Sequence, residues 1–523
     1  MLCKVFCACC SGVDAVIITV EADVSQGISF YLVGLPDSAV KESQQRISTA
    51  LNHYGYRIPG KRIVINMAPA NIRKEGSAFD IAIAIGIICA SGQLGRNNIS
   101  QERLDKFLIM GELALDGTLR KFPGALPIAL KAAEEGFSGC IFPVEAALEC
   151  SEIGNISIYA ASNIKDVIDI LSNEDENHIY HVSNLTASKS NKEESSECEY
   201  DFAQVKGQEG AKRALVIAAA GSHNILLSGA PGCGKSLMAK CLPSIMPPLT
   251  AEESIETSKI YSVSGILQNQ KGFMRKRPFR APHHTTTIVA LTGGGSSSLP
   301  GEISLAHNGI LFLDEFCEFP RHILETLRQP MEEGVIQISR VKNKYIYPAS
   351  FMLVATMNPC PCGNYGSPTH HCSCTTASIL KYTSRISGPI LDRIDLQVAV
   401  NPVDAASLIN IGHNGGNVET SATIAQRVLK ARNIQYERYK KEKFNTNSRI
   451  PVSKLEYYCN LRTKEKEYIK GIIAKLGLSA RSYSRILKIS RTIADLDGKD
   501  FISLEHISLA LQYRGTLLLH KEP

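Results

Sequence analysis

Strand-like and helix-like patterns alternate along the first third of the chain. Val13 to Ala22, Ile28 to Val33 and Lys61 to Met67 are apolar or β-branched runs bounded by Gly, Pro and Asp, and they predict strands. Asp37 to Tyr54 and Phe79 to Ser91 carry helical spacing. Ile81 to Ala90 is apolar on every face and directly follows Asp80. It is shorter than the about 20 residues a bilayer span needs, so it predicts a buried helix and no membrane segment. Residues 1–171 therefore read as one α/β unit. Between 172 and 200 Ser, Asn, Glu and Lys dominate, with acidic clusters at Glu174-Asp175-Glu176 and Glu193-Glu194. That stretch predicts a flexible acidic linker, because it holds too little apolar surface to offset ordering. Residues 201–402 read as strand–loop–helix units of a parallel sheet. A Gly/Asn-rich connection covers 403–420, and 421–523 reads as periodic helix with Lys/Arg on its polar face, a helical lid.

Composition changes this picture little. With 44% hydrophobic and 21% charged residues, the 523-residue chain is neither disordered nor fibrous. The net charge of +6 is mild, so a nucleic-acid surface must be sought locally. Asp14 interrupts any signal-peptide core at the N-terminus. The 16 cysteines are sparse for this length, which predicts a reducing, cytoplasmic setting with most thiols free.

Three motifs carry chemistry. Gly229-Ala230-Pro231-Gly232-Cys233-Gly234-Lys235-Ser236 fits G-x-x-x-x-G-K-[ST] between an apolar strand (Asn224 to Ser228) and a helix from Leu237. Glycines let backbone N–H groups curl round phosphates, Lys235 reaches the β/γ-phosphates of ATP, and Ser236 ligates Mg²⁺. Ile310 to Glu315 is an apolar strand ending in two carboxylates, Asp314 to hold Mg²⁺ and Glu315 to polarise the attacking water. Ser350 to Thr356 is a third apolar strand, and Asn358 at its end suits a group that orients that water.

These motifs, in that order, resemble an AAA+ ATPase. Arg280-Ala-Pro-His-His-Thr and Pro300-Gly-Glu-Ile-Ser-Leu-Ala-His-Asn-Gly309 resemble the magnesium-chelatase branch. More narrowly, Val33 to Ser43, Arg73 to Asp80 and Ser490 to Leu496 resemble the YifB/ComM family. The resemblance spans essentially the whole chain. It implies a Lon-protease-like (ChlI-type) first domain, an AAA+ core, a helical lid and a homo-oligomeric ring, usually a hexamer. It also implies that Arg393, in Ser387-Gly-Pro-Ile-Leu-Asp-Arg393, acts in trans as an arginine finger, with Arg385 as the fallback, and that Arg481 is a second sensor in cis. The Ser and Lys of a Lon-type dyad align near Ala78 and Ile128, so peptidase activity is not expected, although Ser77 and Lys131 lie close in sequence.

Cys360, Cys362, Cys372 and Cys374 place four thiols on one loop, enough for a closed tetrahedral Zn²⁺ site, and His370 or His371 can substitute for one ligand. Two basic elements are candidate DNA contacts. The first is Arg275, Lys276, Arg277 and Arg280, flanked by Phe273 and Phe279; the second is Arg340, Lys342 and Lys344 near a hairpin turn. The resemblance implies that both face a central channel. The expected function is an ATP-driven ring acting on DNA, as a helicase or in branch migration. The rivals are a protein-remodelling ATPase and, less favoured, an ATP-fed peptidase. A true chelatase is disfavoured, since no D-x-S-x-S adhesion motif occurs.

Overall fold

Period-two burial along the first two strands sets up the N-terminal sheet. A computed structural model of the chain describes residues 2–95, 99–172, 177–187, 200–267, 272–295, 298–339, 344–366, 370–402 and 419–515. Strands β1 (Leu2–Ser11) and β2 (Asp14–Ser25) form an antiparallel hairpin with register Leu2↔Asp23 to Ser11↔Asp14. Of the N-terminal cysteines, Cys3 and Cys7 are buried, while Cys9 and Cys10, towards the hairpin turn, are only partly so. Further strands β3 (Ser29–Val33), β4 (Arg62–Ala68), β5 (Phe107–Ile109), β6 (Gly139–Pro143) and β7 (Ser157–Ala161) complete a mixed sheet in the order β3-β4-β2-β1-β5-β6-β7.

Helices α1 (Ser38–His53), α2 (Asp80–Ser91) and α3 (Ala125–Glu134) cover this sheet. Every residue of α2 from Asp80 to Ala90 is buried, as its all-apolar sequence predicts. The Asp80 carboxylate in its first turn is held by the Arg46 guanidinium at 2.7 and 3.0 Å, so the buried charge is paired. Among the described residues no helix is long and apolar enough to cross a membrane.

The predicted linker starts later than the sequence suggests. A 3₁₀ turn at Asn177–Tyr180 and a short helix at Val182–Ala187 fold back on β7 through the Tyr159–His181 bridge, with Val182 buried in the first core. Tyr180 and Val182 supply the apolar anchorage that the polar composition of 172–200 conceals. Residues 188–199 and the connection at 403–418 lie outside the described residues.

The second sheet is fully parallel. Helix α4 (Glu209–Gly221) precedes β8 (Ile225–Gly229), which runs into α5 (Lys235–Cys241) and α6 (Ala251–Val263). Then come β9 (Phe279–Arg280), β10 (Ile310–Leu313), a hairpin of β11 (Val335–Ser339) and β12 (Lys344–Pro348), β13 (Met352–Met357) and β14 (Leu396–Val400). The order β9-β10-β13-β8-β14 places β8 between β13 and β14. Four of the five strands are short, mostly buried apolar runs, the pattern of a helix-sandwiched parallel sheet, and β9 (Phe279–Arg280) is a partly exposed edge.

The lid is helical: α7 (Ser421–Tyr439), α8 (Thr463–Leu476), α9 (Ala480–Leu496) and α10 (Leu504–Gly515). It shares one hydrophobic core with α4, β8 and β14. A buried polar set ties α9 to the sheet. Arg485 of α9 bonds Asp395, and His223 bridges Asp395 at 3.4 Å and Thr492 at 2.7 Å.

The first domain docks on the second through α3 and α6. Gly124 and Leu126 donate backbone N–H groups to Ser262 O and Oγ at 2.9 and 3.2 Å. The Ser262 hydroxyl donates to Glu149 Oε2 at 3.0 Å. Burial pushes the Glu149 carboxyl up to about 7 from an ordinary 4.5. The folded form therefore favours neutral Glu149, and this contribution is complete below about pH 4.5 and lost as pH rises through about 7. Glu149→Gln should melt at a higher temperature than wild type near pH 8, a gain of about 1–3 kcal/mol, and the two should coincide near pH 4.5. Equal melting temperatures across that range would contradict the burial of this carboxyl at the junction.

Candidate active site

The P-loop leaves the C-terminal end of β8, where Gly229 packs so tightly on β14 that a Cβ would lie 2.2 Å from Val400 O. Gly232 (φ +77) and Gly234 (φ +83) adopt left-handed backbone, which turns the loop into α5 and which a side chain would strain. Lys235 is the first residue of α5, and its ammonium is folded back over the loop. It donates to Gly229 O and Ala230 O at 2.8 Å each and to Asn358 Oδ1 at 3.2 Å. Its burial lowers the ammonium pKa. A cationic head held by carbonyls in a half-dry loop is poised to exchange them for phosphate oxygens.

Parallel register brings the other motifs to the same edge. Leu227 pairs with Thr356 and Ser228 with Met357, while Leu313 pairs with Ala355. The ends of β8, β10 and β13 therefore converge, and Ser236 Oγ donates to Asp314 Oδ2 at 2.9 Å. This hydroxyl–carboxylate pair is the hard oxygen set that Mg²⁺ prefers. Thr356 bonds the other Asp314 oxygen, a fixing contact missed in the sequence because a Thr inside an apolar strand carries no motif. Glu315 follows in left-handed backbone (φ +52), with its N–H on Asp314 Oδ1 at 3.1 Å. Its carboxylate meets His284 Nδ1 at 3.3 Å, and the His284 ring lies 4.0 Å from that of His283. His284 was also missed as a site residue; its signal was the His-His pair just after β9.

The arginines are arranged differently from what the resemblance implies. Arg393 is buried at 5% exposure, donating to Pro389 O at 2.6 Å and to Glu332 Oε1. Arg481 is exposed and reaches the same Glu332 at 3.8 Å. Arg385 is half-exposed, bonding Cys317 O at 2.8 Å and Glu318 at 2.9 Å. Within one chain, Arg393 is thus engaged by its own Glu332 and does not present its guanidinium outward.

Comparison with known proteins bears on these motifs together. Residues 201–408 match the family described as magnesium chelatase, subunit ChlI. Residues 20–146 match subunit ChlI of Mg-chelatase, and 418–514 match the ChlI C-terminal family. The competence protein ComM of Haemophilus influenzae is 43% identical over 511 residues, covering 97% of this chain and 96% of the relative. YifB of Escherichia coli is 40% identical over 512 residues, with the same coverage. The chain belongs to the YifB/ComM family of magnesium-chelatase-like AAA+ ATPases. A more distant likeness, 22% over 349 residues, links it to a magnesium-chelatase subunit ChlI homolog of Methanocaldococcus jannaschii.

In this YifB/ComM-family chain the four loop cysteines come together. Their sulfurs all lie within 4.8 Å of one another, with Cys360–Cys362 at 3.4 Å, Cys360–Cys372 at 3.7 Å and Cys362–Cys372 at 3.6 Å. His371 Nδ1 instead faces Cys372 O at 2.7 Å. Among the described residues this is the one cluster of three or more His, Cys, Asp or Glu able to hold a metal ion.

The basic elements separate into two classes. Arg277 is buried and spent inside the chain, on Glu253 at 2.7 Å and on the carbonyls of Pro247 and Asn308 at 2.7 Å each. Arg280 forms a bidentate pair with Glu302 at 2.6 and 2.7 Å. The expectation that these two cations are offered to DNA is corrected, because breaking such pairs leaves a carboxylate uncompensated. The flanking rings are not free stacking faces either: Phe279 stacks on Phe312, and Phe273 packs on the first-domain core. Arg275, Lys276 and Lys344 are exposed, with Arg275 paired to Glu152 at 2.5 Å. Arg340 and Lys342 lie outside the described residues.

Ala78 and Ile128, the positions aligned with a peptidase dyad, line one cavity of about 290 Å³ together with Cys9, Cys10, Ser77 and Tyr347. Ser77 bonds Glu112, and Lys131 pairs with Glu135 at 2.8 Å, so the near-miss pair is not joined.

Lys235→Ala should abolish nucleotide binding; retained ATP turnover would refute the phosphate-site assignment. His284→Ala should lower kcat about tenfold through loss of Glu315 positioning while leaving KM for ATP near wild type, with partial rescue by His284→Asn. An unchanged kcat would remove His284 from the site.

Proposed function

We propose that this chain is the subunit of a ring-shaped, ATP-hydrolysing motor that acts on DNA, of the helicase or branch-migration kind, in recombination or natural transformation. The observation that carries the DNA part of this reading is full-length similarity to the competence protein ComM. The assembled Lys235–Asn358 and Ser236–Asp314 contacts support the ATPase part.

The work is divided among named groups. P-loop N–H groups and Lys235 bind the phosphates. Ser236 and Asp314 would hold Mg²⁺, which when bound neutralises developing phosphate charge. Glu315, positioned by His284, takes the proton of the attacking water, and Asn358 fixes that water's orientation. Arg393 acts on the neighbouring subunit's nucleotide once it leaves Glu332; Arg481 of the lid shares Glu332 with it at the end of the sheet opposite the P-loop, which supports Arg481 acting in trans as well and not in cis. Glu332 is the acid that both arginines share, so one displacement frees two cations. The four cysteines would hold a structural Zn²⁺.

Arg275, Lys276 and Lys344 are the exposed cations of the two basic elements among the described residues, and a phosphate backbone would compete with Glu152 for Arg275. Replacing all three with Gln should weaken single-stranded DNA binding and flatten its salt dependence by about 2 in log–log slope, from about 0.7 per phosphate contact. Arg277→Gln should instead cost about 3 kcal/mol of stability. The deciding assay is steady-state ATPase activity alone, with single-stranded DNA, with a branched junction and with an unfolded protein. Stimulation by DNA that high salt abolishes supports the motor reading. Stimulation by the protein alone would favour a remodelling ATPase, the second reading open to a magnesium-chelatase relative.

A further inference from the structure

The cysteine loop touches the nucleotide site at two points. On its N-terminal side, Asn358 stands two residues before Cys360 and accepts from Lys235 at 3.2 Å. On its other side, Gly363 follows Cys362 directly and packs on the P-loop itself. A Cβ on Gly363 would lie 2.4 Å from Pro231 Cδ and 2.6 Å from its Cγ. Gly363 is held in left-handed backbone (φ +82), its N–H donating to Cys360 O at 3.0 Å. Cys360 is buried, and Tyr365 donates its N–H to the Cys360 sulfur at 3.3 Å.

The sulfur spacing suits a thiophilic ion. Tetrahedral Zn–S bonds of about 2.3 Å put neighbouring sulfurs about 3.8 Å apart. The observed 3.4, 3.7 and 3.6 Å are close to that edge. Such a centre would join the segment before position 363 to residues 372–374 and so close the intervening loop. Without the cross-link, Gly363 keeps its N–H bond to Cys360 O, and the Pro231 contact competes with loop entropy.

Building on the ATPase reading above, we propose that a metal ion held by Cys360, Cys362, Cys372 and Cys374 is a strut of the nucleotide site, pressing Gly363 against Pro231 so that metal occupancy sets ATP affinity. The centre has four protein ligands and no open position, so its role is mechanical. It acts through a one-residue lever, Cys362 to Gly363.

The test uses the full chain purified under reducing, chelator-free conditions. Metal analysis should return about one zinc per chain, as expected for a closed four-thiolate site. Cobalt-exchanged protein should show thiolate-to-cobalt absorption, and a fluorescent ATP analogue reports affinity. Metal-stripped protein should bind the analogue about tenfold more weakly, with zinc restoring it. Two substitutions separate strut from scaffold. Gly363→Ala should keep the cobalt spectrum yet bind the analogue about tenfold more weakly, because its Cβ collides with Pro231. Gly366→Ala carries a similar left-handed penalty (φ +75) with open space around it and should bind normally. Equal binding by Gly363→Ala and wild type, or equal loss in both glycine variants, overturns the strut. Metal-free protein with full affinity overturns the metal centre itself. Nucleotide binding that survives Lys235→Ala overturns the ATPase reading instead.

Discussion

The arrangement at this site depends on the register of three parallel strands. Because β8 lies between β13 and β14, and β10 follows on the far side of β13, the ends of β8, β10 and β13 open on one edge of the sheet. Lys235 reaches Asn358 at 3.2 Å across 123 residues of chain, and Ser236 reaches Asp314 at 2.9 Å across 78. A slip of one residue in any pairing would turn every alternate side chain to the opposite face. Thr356 guards against such a slip at the critical point, since its hydroxyl ties β13 to the Asp314 carboxylate.

Around that edge, polar groups hold one another in place before any ligand arrives. Lys235 rests on carbonyls and Glu315 on His284. Each contact satisfies a group that is costly to leave unpaired. Each is also replaceable by a phosphate or a water at similar distance. The resting structure thus stores its binding groups in pairs that a nucleotide can exchange, a form of preorganisation with little strain outside the left-handed Glu315.

The first domain meets the ATPase core through small residues and buried polar contacts. Gly124 and Ser262 bring α3 and α6 together, and the hairpin of β11 and β12 closes the cavity that holds Ala78 and Ile128. Tyr347 at that wall donates its hydroxyl to Ser298 O at 2.7 Å, which links the hairpin to the segment after the His283–His284 pair. The hairpin therefore bonds to that segment on one side and lines the first-domain cavity on the other.

The sequence by itself determined the α/β character, the buried α2, the P-loop, the Asp-Glu strand and the cysteine cluster. Each is written in local spacing: period two, period 3.6, or a fixed run of residue types whose chemistry acts at short range. It also determined the family, because long motifs such as Pro300 to Gly309 survive in order. The charges are where sequence and structure part. Arg275, Arg277 and Arg280 look alike in a basic run, yet Arg277 is buried on Glu253, Arg280 is clamped to Glu302, and Arg275 alone of the three is exposed. Their partners lie 22 to 24 residues away or more, and only tertiary packing decides which cation meets which carboxylate. The same holds for the residues at 177–187, which compositional reading assigns to a linker and which β7 captures. Burial and pairing are properties of the folded surface, so they remain invisible until distant segments of the chain have been brought together.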